Sequence, residues 1–79
     1  MGEPTRTRVA RLQPGHRVLV RRCSDGSPVP ATPAYSHVAA PVEEAVVLGR
    51  TEGRYVMVIT DLGELQAGAN TVIDVVSDV

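Results

Sequence analysis

The sequence predicts a small all-β domain, and three observations carry that expectation. Valine occurs 14 times in 79 residues, Phe and Trp are absent, and the only aromatics are Tyr35 and Tyr55. β-Branched side chains pack well on a pleated surface and lose rotamer freedom in a helix, so this composition favours strands. Short apolar runs separated by turns recur along the chain at roughly the 8–12-residue spacing of small barrels and sandwiches. No segment sustains a helical period or an internal repeat. The expected architecture is one antiparallel domain over residues 1–79, with five or six short strands closed into a small barrel or stacked as two sheets.

Residues 1–6 are expected to be a flexible N-terminus. Thr7-Arg8-Val9-Ala10-Arg11-Leu12 alternates, but Val9 is out of phase with Leu12, so the first strand is short or irregular. Pro14-Gly15 makes a tight turn, with Pro presetting φ and Gly supplying the reversal. Residues 16–22 form a strand with Val18 and Val20 on one face and Arg17, Leu19 and Arg21 on the other. Residues 23–41 hold Pro28, Pro30, Pro33, Pro41 and the turn pair Asp25-Gly26. Proline cannot donate into a ladder, so this stretch reads as one long surface loop with little pairing and fast amide exchange. Pro30-Ala31-Thr32-Pro33 also fits the loose polyproline recognition pattern, although stiffening of a long connection accounts for it as well. A strand resumes from Val42 to Arg50, with a bulge near Glu43-Glu44. Thr51-Glu52-Gly53 turns into a strand over residues 54–60, Asp61-Leu62-Gly63 turns again into residues 64–67, and residues 71–76 close the fold.

The strand over residues 54–60 is apolar on both faces. Tyr55, Met57 and Ile59 share one and Val56 and Val58 the other. A small antiparallel sheet with one wet face alternates apolar and polar side chains, so the second face needs a cover. Either the Pro-rich loop lies over it, or a subunit or partner does. We take Tyr55, Val56, Met57, Val58 and Ile59 as the candidate interface, with Tyr55 expected to be buried. A small core without large aromatics, disulfide or metal has a thin stability margin, which favours a homo-oligomer, a dimer above others.

Charge is unevenly placed. All eight basic residues are Arg, and residues 1–22 hold six of them against Glu3, a net of +5. Residues 23–79 hold Arg50 and Arg54 against eight acids, a net of −6, so the sum is −1. A basic stripe is the electrostatic footprint of nucleic-acid binding, and Arg11, Arg17, Arg21 and Arg22 are the candidate contacts. The missing Phe, Trp and Lys weigh against that alternative, because barrels that hold single strands stack bases on aromatics.

The residues required for catalysis are not assembled by their spacing. Cys23, His16 and His37 are the whole supply of Cys and His, too few and too scattered for zinc or for a nucleophile–base pair. Asp61, Glu64, Asp74 and Asp78 fall at turns and strand ends, and no phosphate-binding glycine loop precedes a helix. We therefore expect no enzyme, no catalytic or metal residue and no cofactor. A lone Cys and the lack of any long apolar run point to a cytoplasmic protein without a membrane span.

The stretch Val9-Ala10-Arg11-Leu12-Gln13-Pro14-Gly15-His16-Arg17-Val18-Leu19-Val20 resembles the opening of many small actinobacterial and actinobacteriophage accessory proteins. Residues 54–64, ending Thr60-Asp61-Leu62-Gly63-Glu64, resemble their central hairpin, and residues 71–76 their closing strand. The resemblance implies an SH3-like β-barrel acting in the host cytoplasm if phage-encoded. The function expected is a non-catalytic interaction module that binds an as yet unidentified host or phage protein. Nucleic acid is the alternative partner. A small anionic ligand at a subunit interface, held by the same arginines and the Pro-rich loop, is the third.

Overall fold

Alternation along β2 (Arg17–Arg22) sets the centre of the fold: Val18 and Val20 are fully buried, whereas Arg17 is exposed and Leu19 and Arg21 are half-buried. The structure is a computed structural model and describes residues 5–77. Around β2 the chain forms β1 (Thr5–Arg8), a single 3-10 turn η1 (Val9–Arg11), β3 (Pro28–Pro30), a second turn η2 (Pro33–Tyr35), β4 (Val42–Glu52), β5 (Val56–Thr60), β6 (Gly63–Ala67) and β7 (Val72–Ser77). No α-helix occurs among the described residues.

The expected all-β class is what is found, with corrections to its detail. Among the described residues seven strands replace five or six, all paired antiparallel in the order β1-β7-β2-β4-β5-β6, with β3 beside β2. The sheet is not closed into a barrel; β1 and β6 are its ends. Thr5 and Arg6, expected to be flexible, pair with Val75 and Asp74 in β1, while residues 1–4 lie outside the described residues. Tyr55 sits in the turn before β5 rather than inside the strand.

One long strand serves both halves of the sheet. The first half of β4 pairs with β2 and the second half with β5. Glu43 and Glu44, where the sequence suggests a bulge, pair in regular register with Val20 and Leu19. The register slips instead between Val47 and Gly49, so that Leu48 is the extra, bulged residue. A bulge adds local twist and bend, which lets β5 and β6 turn across the core. Asp61 mends the break: its N–H donates to the Val46 carbonyl at 3.1 Å, and its carboxylate accepts from the Val46 N–H at 2.8 Å. Val9, Leu12, Val18, Val20, Ala45, Val47, Val56, Val58, Leu65, Ala67, Ile73 and Val75 form one buried cluster from both halves.

The stretch over residues 23–41 is not one unpaired loop. Pro28 and Pro30 belong to β3, opposite Arg22 and Val20. Cys23 N–H donates to Ser27 O at 2.9 Å and Ala31 N–H to Leu19 O at 3.1 Å, so the odd-numbered residues turn their backbone groups toward β2. Both prolines fall on the intervening positions, where no donor is needed; on an edge strand this is allowed. Asp25-Gly26 is the hairpin turn joining β2 to β3, closed by Gly26 N–H to Cys23 O at 2.9 Å, with Gly26 at φ 91°. Gly15, at φ 96°, completes the expected Pro14-Gly15 turn. Both angles lie where a side chain would be strained. Hydrogen exchange should therefore split this segment. Cys23 and Ala31 amides will exchange slowly, and those of His37, Ala39 and Ala40, which lack a backbone partner among the described residues, will exchange fast. Equal rates throughout would show β3 to be unpaired in solution.

Candidate interaction surface and clefts

The five residues of the candidate interface are separated by the fold. Val56 and Val58 are 3% and 0% exposed and belong to the core, opposite Ala67 and Leu65 in the β5–β6 register. Tyr55 and Ile59 remain 53% and 37% exposed, with Met57 half-buried between them. Tyr55 is thus on the surface, contrary to the sequence expectation, because it sits in a turn with no strand over it. Leu48, in a strand whose sequence is likewise apolar on both faces but outside the five candidates, joins the outer face at 58% exposure because the bulge turns it outward beside Gly49, the partner of Ile59. Gln66 and Glu64, opposite Met57 and Ile59, mark this as the wet side of the sheet. That signal was readable: a two-residue turn at Asp61-Leu62 places polar Glu64 and Gln66 on the face of Ile59 and Met57. The segment after β3, one of the two expected covers, leaves Tyr55 and Ile59 exposed. It lies on β2, where the Arg21 guanidinium donates to the Ala40 carbonyl at 2.9 Å.

The four candidate arginines divide as well. Arg17 and Arg21 share the outer face of β2, and the β1–β7 register brings Arg6 and Arg8 onto that same face. Arg11 lies exposed on η1. Arg22 faces the other way and forms a two-point ion pair with Glu43, at 3.0 and 2.9 Å. Acids interleave the basic face: Asp74 pairs with Arg6 at 3.3 Å, and Glu44 stands opposite Leu19 between Arg17 and Arg21.

Hydrogen bonding to Arg22 holds the Glu43 carboxyl below the ordinary glutamate range, with partial desolvation opposing and the guanidinium charge adding to it. Asp25 is lowered likewise, first by the Ser27 hydroxyl and then by the Ser27 N–H. A depressed acid contributes stability that is complete above its unfolded pKa and lost as pH falls through the folded one. Glu43→Gln should therefore lessen the loss of stability between neutral pH and about pH 3, read from urea midpoints. The change will be small, because Arg22 and Glu43 side chains are 40% and 38% exposed. An unchanged acid limb would show the pair to be idle.

The possible catalytic groups are not assembled. Asp61 bonds Val46, Asp74 bonds Arg6, Glu64 stands on the outer face of β6, and Asp78 lies outside the described residues. His16 accepts from the Gln13 N–H at 3.0 Å through Nδ1. Cys23 and His37 do line one open groove of about 470 Å³ with Arg22, Ser24 and Val38, a proximity that their spacing did not reveal. No hydrogen bond joins them, and His37 instead packs against the Tyr35 ring at 6.3 Å. Among the described residues no three His, Cys, Asp or Glu side chains gather to hold a metal ion, and no helix is long and apolar enough to cross a membrane. A second cleft, of about 400 Å³, lies between Arg21 and residues 31–36.

Comparison with protein-family models, curated proteins and solved structures returns no match to this chain. The resemblance to actinobacterial and phage accessory proteins thus has no relative to rest on, and the functional reading rests on the surface.

Proposed function

We propose that this domain is a non-catalytic protein-interaction module whose contact surface is the outer face of β4 and β5, with a second copy of the chain as its first partner. One observation carries the reading: Leu48 and Ile59 stand 58% and 37% exposed on the outer face with half-buried Met57, and Tyr55, 53% exposed, sits in the turn that leads into β5. Single exposed apolar residues are ordinary, but a cluster on one sheet face, rimmed by Glu64 and Gln66, is the anatomy of an interface. Val56 and Val58 support that face from behind, as core residues. Left open, an apolar strand without charge is an aggregation hazard, and twofold self-association is the commonest way to cover it.

Nucleic acid is the runner-up. Arg8 and Arg17 make no ion pair among the described residues, which favours it, while Asp74 and Glu44 on the same face repel phosphate. The accessory role in a bacterial or phage cytoplasm belongs to the same proposal. Sedimentation equilibrium at micromolar concentration tests the first reading: a dimer is expected, dissociated by charge at Leu48 and Ile59. A stable wild-type monomer that also captures no protein partner through this face would refute it.

A further inference from the structure

The cleft between β2 and residues 31–36 gathers hydrogen-bonding groups that the described residues leave partly unused. Arg21, Ala31, Thr32, Pro33 and Ser36 line it. Thr32 is only 7% exposed, and its Oγ1 is buried without a hydrogen-bond partner. Thr60, the other buried hydroxyl residue among the described ones, shows the normal condition: its Oγ1 donates to the Gly63 carbonyl at 2.7 Å and accepts from the Leu62 N–H at 3.2 Å. A buried hydroxyl left unbonded costs free energy until something bonds it, so buried polar groups are nearly always paired. Arg21 is held in place by one bond, to the Ala40 carbonyl, which leaves its remaining N–H groups to other partners.

We propose that this cleft is a binding site for a small organic oxyanion. The chemistry follows from the lining. A guanidinium offers donors in a planar fork that matches two oxygens of a carboxylate or phosphate ester. Ser36 adds a hydroxyl, Thr32 holds its unbonded hydroxyl within the wall, and no acid lines the cleft to oppose negative charge. Ala31 and Pro33 give an apolar wall, and about 400 Å³ is room for an organic body behind the anionic group rather than for a bare ion alone. The site lies on β2 and is independent of the β4–β5 surface, so each can fail without the other.

The test is a titration of ¹⁵N-labelled protein with two probes, phenyl phosphate and benzoate, which present the two kinds of oxyanion on the same apolar body. Saturable shifts at residues 31–36 and at the Arg21 side chain are expected from at least one; the one that binds tighter identifies the ligand class. Arg21→Gln and Thr32→Val should each weaken binding about tenfold or more, as loss of a hydrogen-bonding partner does. Thr32→Val carries a second readout. With no ligand present it should leave Tm unchanged or raise it, because it removes an unbonded hydroxyl in favour of a side chain of nearly equal shape. Leu48→Lys/Ile59→Lys should bind the probe as the wild type does. No saturation with either probe, binding unaltered in Arg21→Gln, or a lowered Tm in ligand-free Thr32→Val would each overturn the proposal.

Discussion

Val58→Asp will not fold, while Ile59→Asp, one residue along, will. Val58 is fully buried at the middle of β5, opposite Leu65 and within the cluster that joins both halves of the sheet. A carboxylate there has no described partner, and burying an isolated charge costs more than such a domain can bear. At about 0.05–0.15 kcal/mol per residue, 79 residues give roughly 4–12 kcal/mol in total. The core has no aromatic side chain to spare, so even Leu65→Ala should remove about 2–5 kcal/mol. Ile59 faces outward, and a charge there should change monomer stability by roughly 0.5 kcal/mol. Circular dichroism and urea titration read the contrast directly. Cooperative unfolding of Val58→Asp near the wild-type midpoint would mean that β5 is turned over.

Leu48→Lys with Ile59→Lys should convert a dimer to a monomer without loss of fold. Both side chains are exposed on the outer face and neither belongs to the buried cluster, so the double variant leaves the core intact. In a twofold interface each substitution is counted twice, placing four ammonium groups in one desolvated patch; truncation or charge at the centre of such a patch typically costs 2 kcal/mol or more, about thirtyfold in dissociation constant. Sedimentation equilibrium gives the assembly state, and the urea midpoint of the dissociated variant gives its fold. If the double variant stays dimeric, the contact lies elsewhere, and the basic outer face of β2 and β1 becomes the next surface to charge-reverse.

Much of the fold was legible. Valine content, the lack of helical period, the Pro14-Gly15 turn and the alternation of Val18 and Val20 all correspond to what the structure contains. These are local properties: a β-branched side chain or a proline restricts its own backbone whatever surrounds it. The site was less legible. The sequence marked β5 as apolar on both faces and Arg11, Arg17, Arg21 and Arg22 as one basic set, but the period of two sorts side chains into faces without saying which face is inside.

What the sequence by itself determined, then, is the kind of element at most positions and which side chains travel together along each strand. Only the tertiary structure decided which set is buried. Val56 and Val58 go inward with their β6 neighbours Ala67 and Leu65 because Val9, Leu12, Val18, Val20 and Ile73 close over that face in one cluster, and Tyr55, Met57 and Ile59 are left outside with Leu48. Only the hairpin pairing of β3 with β2, closed across the Asp25-Gly26 turn, let Pro28 and Pro30 enter a strand, at positions that need no donor. The same pairing folded residues 31–40 over Arg21 and left the Thr32 hydroxyl buried and unbonded. Backbone preference acts within a few residues, whereas burial is a property of surfaces brought together from distant parts of the chain.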